Sequence, residues 1–489
     1  MKIHLLDNLL QIADYDSYVI PFTSNLELRD LFDESFSGLL NPYLNSKLFE
    51  GKKEQIYSFT TFLAGSSRQI HVVLAGLGDA DKIDSEIVMN TFGKAVRALQ
   101  DLKAENPLII MENVAPDMHR LESYLKAFKA IYLAEYAFDK YLSKKVHRLD
   151  TLSIFTRFKD AAQCLKRAEL LSRNIMIARD VVNEPANVIK PESLASYAIE
   201  MLDKLPVDVK IKNKSEIEKI GMKAFLDVAK GSAAEPKLIV MDYKGDPHSS
   251  EKLAFVGKGL TFDSGGYSIK PTDSMKTMRY DMAGSAAVIG AIKAMAEAKL
   301  KVNVVGIVAA CENMISGSSY LPGDIIDTLN GKTVEIVNTD AEGRLTLADA
   351  VTYAIRHEKA TALVDIATLT GAVLVGLGTQ YAGVVTNDEE LFETFEKAAK
   401  IASEKIWRLP YDDQLKEANH SKVADLKNSG GRMAGSSTAG AFIGEFTEDV
   451  PWVHVDIAGT ADTEKDSPYC RTGATGYGVE LLFTLASMI

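Results

Sequence analysis

The chain has 489 residues, of which 46% are apolar and 25% charged, with a net charge of −12. That length exceeds one ordinary core and predicts about two to three domains. The negative balance disfavours nucleic acid or an anionic membrane as the main partner and suits cations and amine-bearing ligands.

The N-terminal stretch carries Asp7, Asp14 and Asp16 where a signal peptide would be apolar. No run reaches the ~18 apolar residues of a membrane span. Three widely spaced cysteines, Cys164, Cys311 and Cys470, suit small core residues of a reducing compartment better than a disulfide framework or thiolate zinc site. A cytoplasmic protein without a membrane partner is expected.

Residues 1–158 alternate strand-like and helix-like segments and predict a smaller N-terminal α/β domain. Residues 69–74, 107–111 and 152–156 read as strands, and 86–103 and 119–141 as helices. Val88, Phe92, Val96 and Leu99 form one stripe of the first helix. Residues 159–182 keep helical spacing through Leu165, Ala168, Leu171 and Ile175, and predict a long linker helix. Turn chemistry in Asn183-Glu184-Pro185-Ala186-Asn187 stops it.

Residues 183–489 predict a second α/β domain. Strand candidates are 238–243, 253–256, 302–309, 333–337, 362–366, 383–386 and 452–457, with helices over 283–299 and 347–357. Near-continuous Val, Ile, Leu and Ala in several strands predict a central mixed, largely parallel sheet covered on both faces. Sites in such sheets gather at the carboxyl ends of strands.

Two stretches carry chemistry. Asn338-Thr339-Asp340-Ala341-Glu342-Gly343-Arg344-Leu345 sets two carboxylates two residues apart and an arginine two further on, at a strand-to-helix switch. Val256-Gly257-Lys258-Gly259-Leu260-Thr261-Phe262-Asp263-Ser264-Gly265-Gly266-Tyr267-Ser268-Ile269-Lys270-Pro271 begins where a strand is predicted to end. Its glycines permit tight backbone, and Asp281 follows just before a helix. Asp263, Asp281, Asp340 and Glu342 carry four negative charges, which two divalent cations would balance. Paired metals in hydrolases lie roughly 3.5–4 Å apart and bridge a water that loses its proton readily. Oxygen ligands accept Mn²⁺, Zn²⁺, Mg²⁺ and Co²⁺ alike. A lysine joins such a set only as a neutral amine. Of Lys258 and Lys270, one suits a ligand and the other an electrophile, and spacing leaves open which.

These stretches resemble the leucine aminopeptidase (cytosol aminopeptidase) family. The resemblance continues through Asp365-Ile366-Ala367-Thr368-Leu369-Thr370-Gly371-Ala372, Ala424-Asp425-Leu426-Lys427-Asn428 and residues 452–461. It covers roughly residues 160–489, so that 183–489 is expected to be the catalytic peptidase domain. It implies release of N-terminal amino acids from peptides with a free N-terminus, with Leu and other apolar residues preferred. Asp263 and Glu342 would bridge two divalent ions, Lys258 and Asp281 would complete one metal site, and Asp340 the more exchangeable one. Lys270 would polarise the scissile carbonyl. Arg344 would seat a bicarbonate that shuttles a proton, which fits the absence of a spare His or Glu in these motifs. Met278, Asn338, Thr368, Leu369 and Gly371 would line the substrate pocket. Tyr267 and Tyr280 flank ligand positions and bear on side-chain preference. The resemblance also implies a homohexamer, a dimer of trimers.

Competing motifs fail. Ile326 stands where a phosphate loop ending at Gly331-Lys332-Thr333 needs glycine, and Tyr381 where a dinucleotide fingerprint at Gly376-Leu377-Gly378 needs one. His454 reads as a hydrogen-bonded strand residue. Some bacterial relatives also bind DNA, and that alternative is weakened here because residues 1–160 hold 19 Lys and Arg against 22 Asp and Glu.

Overall fold

The computed structural model describes residues 1–8, 14–28, 34–63, 67–113 and 121–489. It shows two compact α/β units: Met1–Arg173 with Lys465–Thr472, and Asn174–Glu464 with Gly473–Ile489. The division falls within the helix Ala161–Asn183.

The first unit is built on six strands: β1 Lys2–Leu6, β2 Ser17–Phe22, β3 Ile56–Phe62, β4 Gln69–Gly76, β5 Pro107–Ile110 and β6 Thr151–Phe155. Their order is β1-β6-β5-β2-β4-β3. Only the edge strand β3 is antiparallel to its neighbour. Alternation sorts the side chains into two cores. Val19, Val73, Ile109 and Ile154 face the helices Ser85–Asp101 and Leu121–Ala134. Tyr18, Ile20, Leu74 and Ile110 face Phe36 and Leu40 of the helix Glu34–Leu44. Of the helix predicted over 119–141, the first two positions lie outside the described residues. The observed helix stops at Ala134, where the Glu135 carboxylate instead accepts the Leu149 N–H and the Gln100 amide.

The second unit carries β7 Val207–Lys212, β8 Lys237–Lys244, β9 Leu253–Asp263, β10 Asn303–Asn313, β11 Ile325–Asp327, β12 Thr333–Glu335, β13 Ala362–Ala367, β14 Ala382–Thr386, β15 Ile406–Arg408, β16 Leu426–Lys427 and β17 Trp452–Asp456. Eight of them form one mixed sheet, β15-β14-β17-β13-β9-β10-β8-β7. Its centre, β17-β13-β9-β10, is wholly parallel, and the antiparallel pairs lie outside it. One face packs on the helices Lys223–Ala229 and Gly343–Arg356 through Leu238, Val256, Ile307, Phe225, Leu347 and Val351.

The other face takes the helix Ala283–Ala298, which is buried along almost its whole length and rich in alanine. Small residues let it sit unusually close. A Cβ on Gly284 would collide with the Ile366 carbonyl, and one on Gly257 would come within 2.7 Å of the Gly284 carbonyl. This contact seats the start of the helix on β9 and β13, and so fixes Asp281, two residues before the helix begins.

Strand β9 extends seven residues beyond its expected end at Val256. Gly257 and Gly259 serve close packing within the strand rather than a turn. The extension has a geometric consequence. Lys258 and Asp263 are five apart and would face opposite sides of a regular strand. The pairing with β10 shifts by one residue between Cys311 and Glu312, so that Lys258 stands opposite Ala309 and Asp263 opposite Asn313. Ala309 and Asn313 are four apart and share a face, and the bulge brings Lys258 and Asp263 to that face together.

Candidate metal centre

The site lies at the carboxyl ends of β9, β10 and β13, the place where open α/β sheets gather ligands. Asp263 ends β9 and Thr368 follows β13. Asp340 and Glu342 stand on the segment between β12 and the helix Gly343–Arg356, whose start leaves Glu342 at the N-cap and Arg344 in the first turn. Helix N-termini favour negative charge. A Cβ on Gly343 would collide with the Lys258 side chain, so glycine there lets Lys258 pass beneath the helix start.

Carboxylate oxygens of Asp263, Asp340 and Glu342 lie within 4.8 Å of one another. Lys258, 3% exposed, holds Asp281 Oδ2 at 2.8 Å and Glu342 Oε1 at 3.0 Å. It also donates to the Thr368 carbonyl at 2.9 Å. Thr368 Oγ1 donates to Asp281 Oδ1 at 2.9 Å. Lys270 joins Asp263 Oδ2 at 2.8 Å and Asp340 Oδ1 at 2.7 Å. The two ammonium groups thus sit between carboxylate pairs, where cations are needed.

Burial sets the protonation. It opposes the charge on Lys258, but Asp281, Glu342 and Asp263 outweigh it and hold the amine above the ordinary lysine range. Lys270 follows the same pattern with Asp263, Glu342 and Asp340. Burial pushes the Asp281 carboxyl up to about 8 against the pull of Lys258. It pushes Asp340 up to about 6, with Glu342 and Asp263 adding repulsion. Asp263 is raised by burial and by Glu342. Burial also works against ionised Glu342, but Lys258 and Lys270 prevail and its pKa falls.

This donor set fits divalent cations. Three carboxylates converge and a fourth shares a lysine with one of them. Glu342 Oε2 is buried with no hydrogen-bond partner among the described residues, an arrangement that costs free energy unless something positive meets it. Arg344 is a second unsatisfied group. It is 7% exposed and its Nε has no partner among the described residues. Burial lowers its pKa to about 10, against the attraction of Glu342 and Asp456.

Of the expected pocket residues, Met278 is buried and Leu369 partly buried, while Gly371 is exposed at the start of the helix Gly371–Leu377. Thr368 supports Asp281 and Lys258, as described above. The Asn338 side-chain oxygen accepts the Asp340 N–H at 2.9 Å, so it shapes the acidic loop. Tyr267 is largely exposed, and its hydroxyl donates to the Ser316 carbonyl.

Several supporting residues went unassigned at the level of sequence. Asn428 accepts the Val337 N–H at 2.9 Å and donates to the Asn338 carbonyl at 2.6 Å. It lies in the stretch 424–428 that carried the resemblance, but without a role. Asp456 accepts the Leu369 N–H and the Thr370 hydroxyl, and so fixes the turn after β13. Asn313 and Tyr320 both donate to the Thr339 carbonyl, and no motif marked either.

Residues 176–483 match the catalytic domain of the cytosol aminopeptidase family, and residues 19–145 match that family's N-terminal domain. A probable cytosol aminopeptidase of Treponema denticola is 46% identical over 94% of this chain and 96% of its own length. One from Clostridium perfringens is 43% identical over 97% of each. Among solved structures, the bottromycin maturation enzyme BotP in complex with Mn is similar with a TM-score of 0.85 and 28% identity, covering 97% of this chain and 99% of that one. With two family domains matched along the chain and a buried carboxylate cluster suited to divalent ions, the protein belongs to the cytosol aminopeptidase family and is a metal-dependent aminopeptidase.

Proposed function

We propose that the protein removes single N-terminal residues, with Leu and other apolar residues preferred, from peptides that carry a free α-amine. Two divalent ions, Mn²⁺ or Zn²⁺ with Mg²⁺ or Co²⁺ as substitutes, would be held by Lys258, Asp263, Asp281, Asp340 and Glu342. The observation that carries this reading is the convergence of carboxylate oxygens of Asp263, Asp340 and Glu342 within 4.8 Å of one another, with Glu342 Oε2 buried and unpartnered among the described residues. When bound, such a pair of ions polarises the scissile carbonyl and lowers the pKa of the attacking water.

The chain's own groups do the rest. As a neutral amine Lys258 would help hold one ion, and Thr368 keeps it and Asp281 aligned. Lys270, which bridges Asp263 and Asp340, would turn to the carbonyl oxygen and stabilise the developing oxyanion once cations balance those carboxylates. Arg344 offers a buried guanidinium, its Nε without a partner among the described residues, to a small oxyanion, and bicarbonate there would move the proton for which these motifs hold no spare His or Glu. Met278 and the turn 368–371 bound the pocket for the first side chain, and Asn338 keeps the acidic loop in shape beside it. The DNA-binding alternative draws no support from the relatives' names.

Cytoplasmic location and assembly into a homohexamer belong to the same reading. Among the described residues no helix is long and apolar enough to cross a membrane. A panel of aminoacyl amides, each paired with its N-acetylated form, tests the activity. Hydrolysis confined to the free amines, fastest for Leu and Met, supports it; equal hydrolysis of the acetylated partners overturns it.

A further inference from the structure

We propose that Asn313 is a positioning residue that sets the distance between the two halves of the carboxylate cluster, a role that rests on the two-metal reading above. One half is Asp263, at the end of β9. The other is the acidic loop carrying Asp340 and Glu342. Asn313 ends β10 directly opposite Asp263. Its Nδ2 donates to Asp263 Oδ1 at 2.8 Å and to the Thr339 carbonyl at 3.0 Å. One planar amide therefore joins a carboxylate of the first half to the backbone just before Asp340 in the second.

The amide's orientation follows from its neighbours. Both short contacts are to oxygens, so the nitrogen must face them. Asn313 Oδ1 is then buried without a hydrogen-bond partner among the described residues, at 0% exposure. Leucine would remove the orphaned oxygen at similar size, but it would also remove both donors. Aspartate would add a fifth carboxylate to the site, directly against Asp263. Asparagine is the side chain of this shape that supplies two donors without charge.

The surroundings support the same role. Gly266, at φ +61°, would place a Cβ 3.0 Å from Asn313 Oδ1 and 2.9 Å from Thr339 Oγ1, so glycine there leaves the amide its room. Tyr320 shares the Thr339 carbonyl at 2.8 Å, and Gly265 N–H shares Asp263 Oδ1 at 2.8 Å. Lys270 spans the same two halves, but through a flexible stem and a charge. Asn313 is short, neutral and fully buried. Groups that orient metal ligands in this way typically matter by roughly 10–100-fold in metal affinity or activity.

The test compares Asn313→Ala and Asn313→Ser with Asn303→Ala. Asn303 begins the same strand and bonds the carbonyls of Asp246 and Ser249 at its far end. Each chelator-treated protein is titrated with Mn²⁺ while its thermal midpoint is followed, and kcat and KM are then measured on leucine amide. Asn313→Ala should need roughly 10–100-fold more Mn²⁺ for the same stabilisation. Its kcat should fall while KM moves little, and Asn313→Ser, which keeps one donor, should lie between. Asn303→Ala should melt earlier yet titrate like the wild type. If both Asn313 variants melt earlier but titrate and turn over like the wild type, Asn313 is merely structural and the proposal fails. A flat Mn²⁺ titration of the wild type would instead overturn the two-metal reading, and this proposal with it.

Discussion

Replacing Lys270 by methionine separates its electrostatic role from that of a ligand. The site holds four carboxylates, Asp263, Asp281, Asp340 and Glu342, against two lysines, a formal balance of −2 with every group ionised; Lys270→Met makes it −3. The lost partner lies 2.8 Å from Asp263 and 2.7 Å from Asp340. Removing one member of a buried ion pair costs about 3–5 kcal/mol. The cost here is smaller because the Lys270 and Asp340 side chains keep 15% and 32% exposure. The metal-free variant should therefore melt earlier than the metal-free wild type. Its stabilisation by Mn²⁺ should be larger, since the cations meet one more unbalanced carboxylate charge. Turnover should move the other way. Loss of one donor to a developing oxyanion costs about 10²–10³-fold in kcat, or ~2.7–4 kcal/mol. Metal content measured beside kcat and KM on leucine amide decides the matter. An unchanged kcat, or activity and metal falling together, would refute the reasoning.

Arg344→Ala should slow turnover and flatten any dependence of rate on added bicarbonate, with metal content kept; a full bicarbonate response in the variant would exclude Arg344 as the anion's seat. Metal-free protein should lose stability as pH rises. Asp340 and Asp281 have folded-state pKa values raised to about 6 and about 8 from 3.8. Their contribution is therefore complete below about pH 4 and is lost as pH climbs through those values. Buried Asp349, raised to about 7, acts in the same direction in metal-free and loaded protein alike. The site's part is the difference between the two melting curves, and a difference that does not grow from pH 5 to pH 8 would contradict it.

Much of this architecture was legible because local pattern and tertiary role agree. The apolar runs at β8, β10, β13 and β17 are buried strands, and the acid-x-acid-x-arginine stretch does sit at a strand-to-helix switch. The misreadings have physical causes. Gly257 and Gly259 look like a turn in sequence, but they serve the close seating of a helix and a neighbouring strand. β9 was therefore expected to stop too early, and the bulge that aligns Lys258 with Asp263 was invisible. Residues 17–22 were not among the strand candidates, and Pro21 argues against a central strand, yet β2 is one. Its pairing with β5 ends at Val19, before the proline. The helix Gly343–Arg356 begins four residues earlier than expected, because glycine and arginine in its first turn answer to the site rather than to helix propensity. Asn428 lay in a stretch that carried the resemblance, but Asn313 gave no signal. A lone Asn at a strand end has no periodicity, and its importance lies in two oxygens that only the fold brings within reach.

The central claim is that hydrolysis depends on divalent ions held by Asp263, Asp340, Glu342 and their partners. The most direct measurement strips the protein with a chelator, verifies the metal loss, and assays leucine amide before and after Mn²⁺ is returned. Activity lost on stripping and regained with Mn²⁺, Zn²⁺ or Co²⁺ is the predicted result; undiminished activity in verified metal-free protein would contradict it.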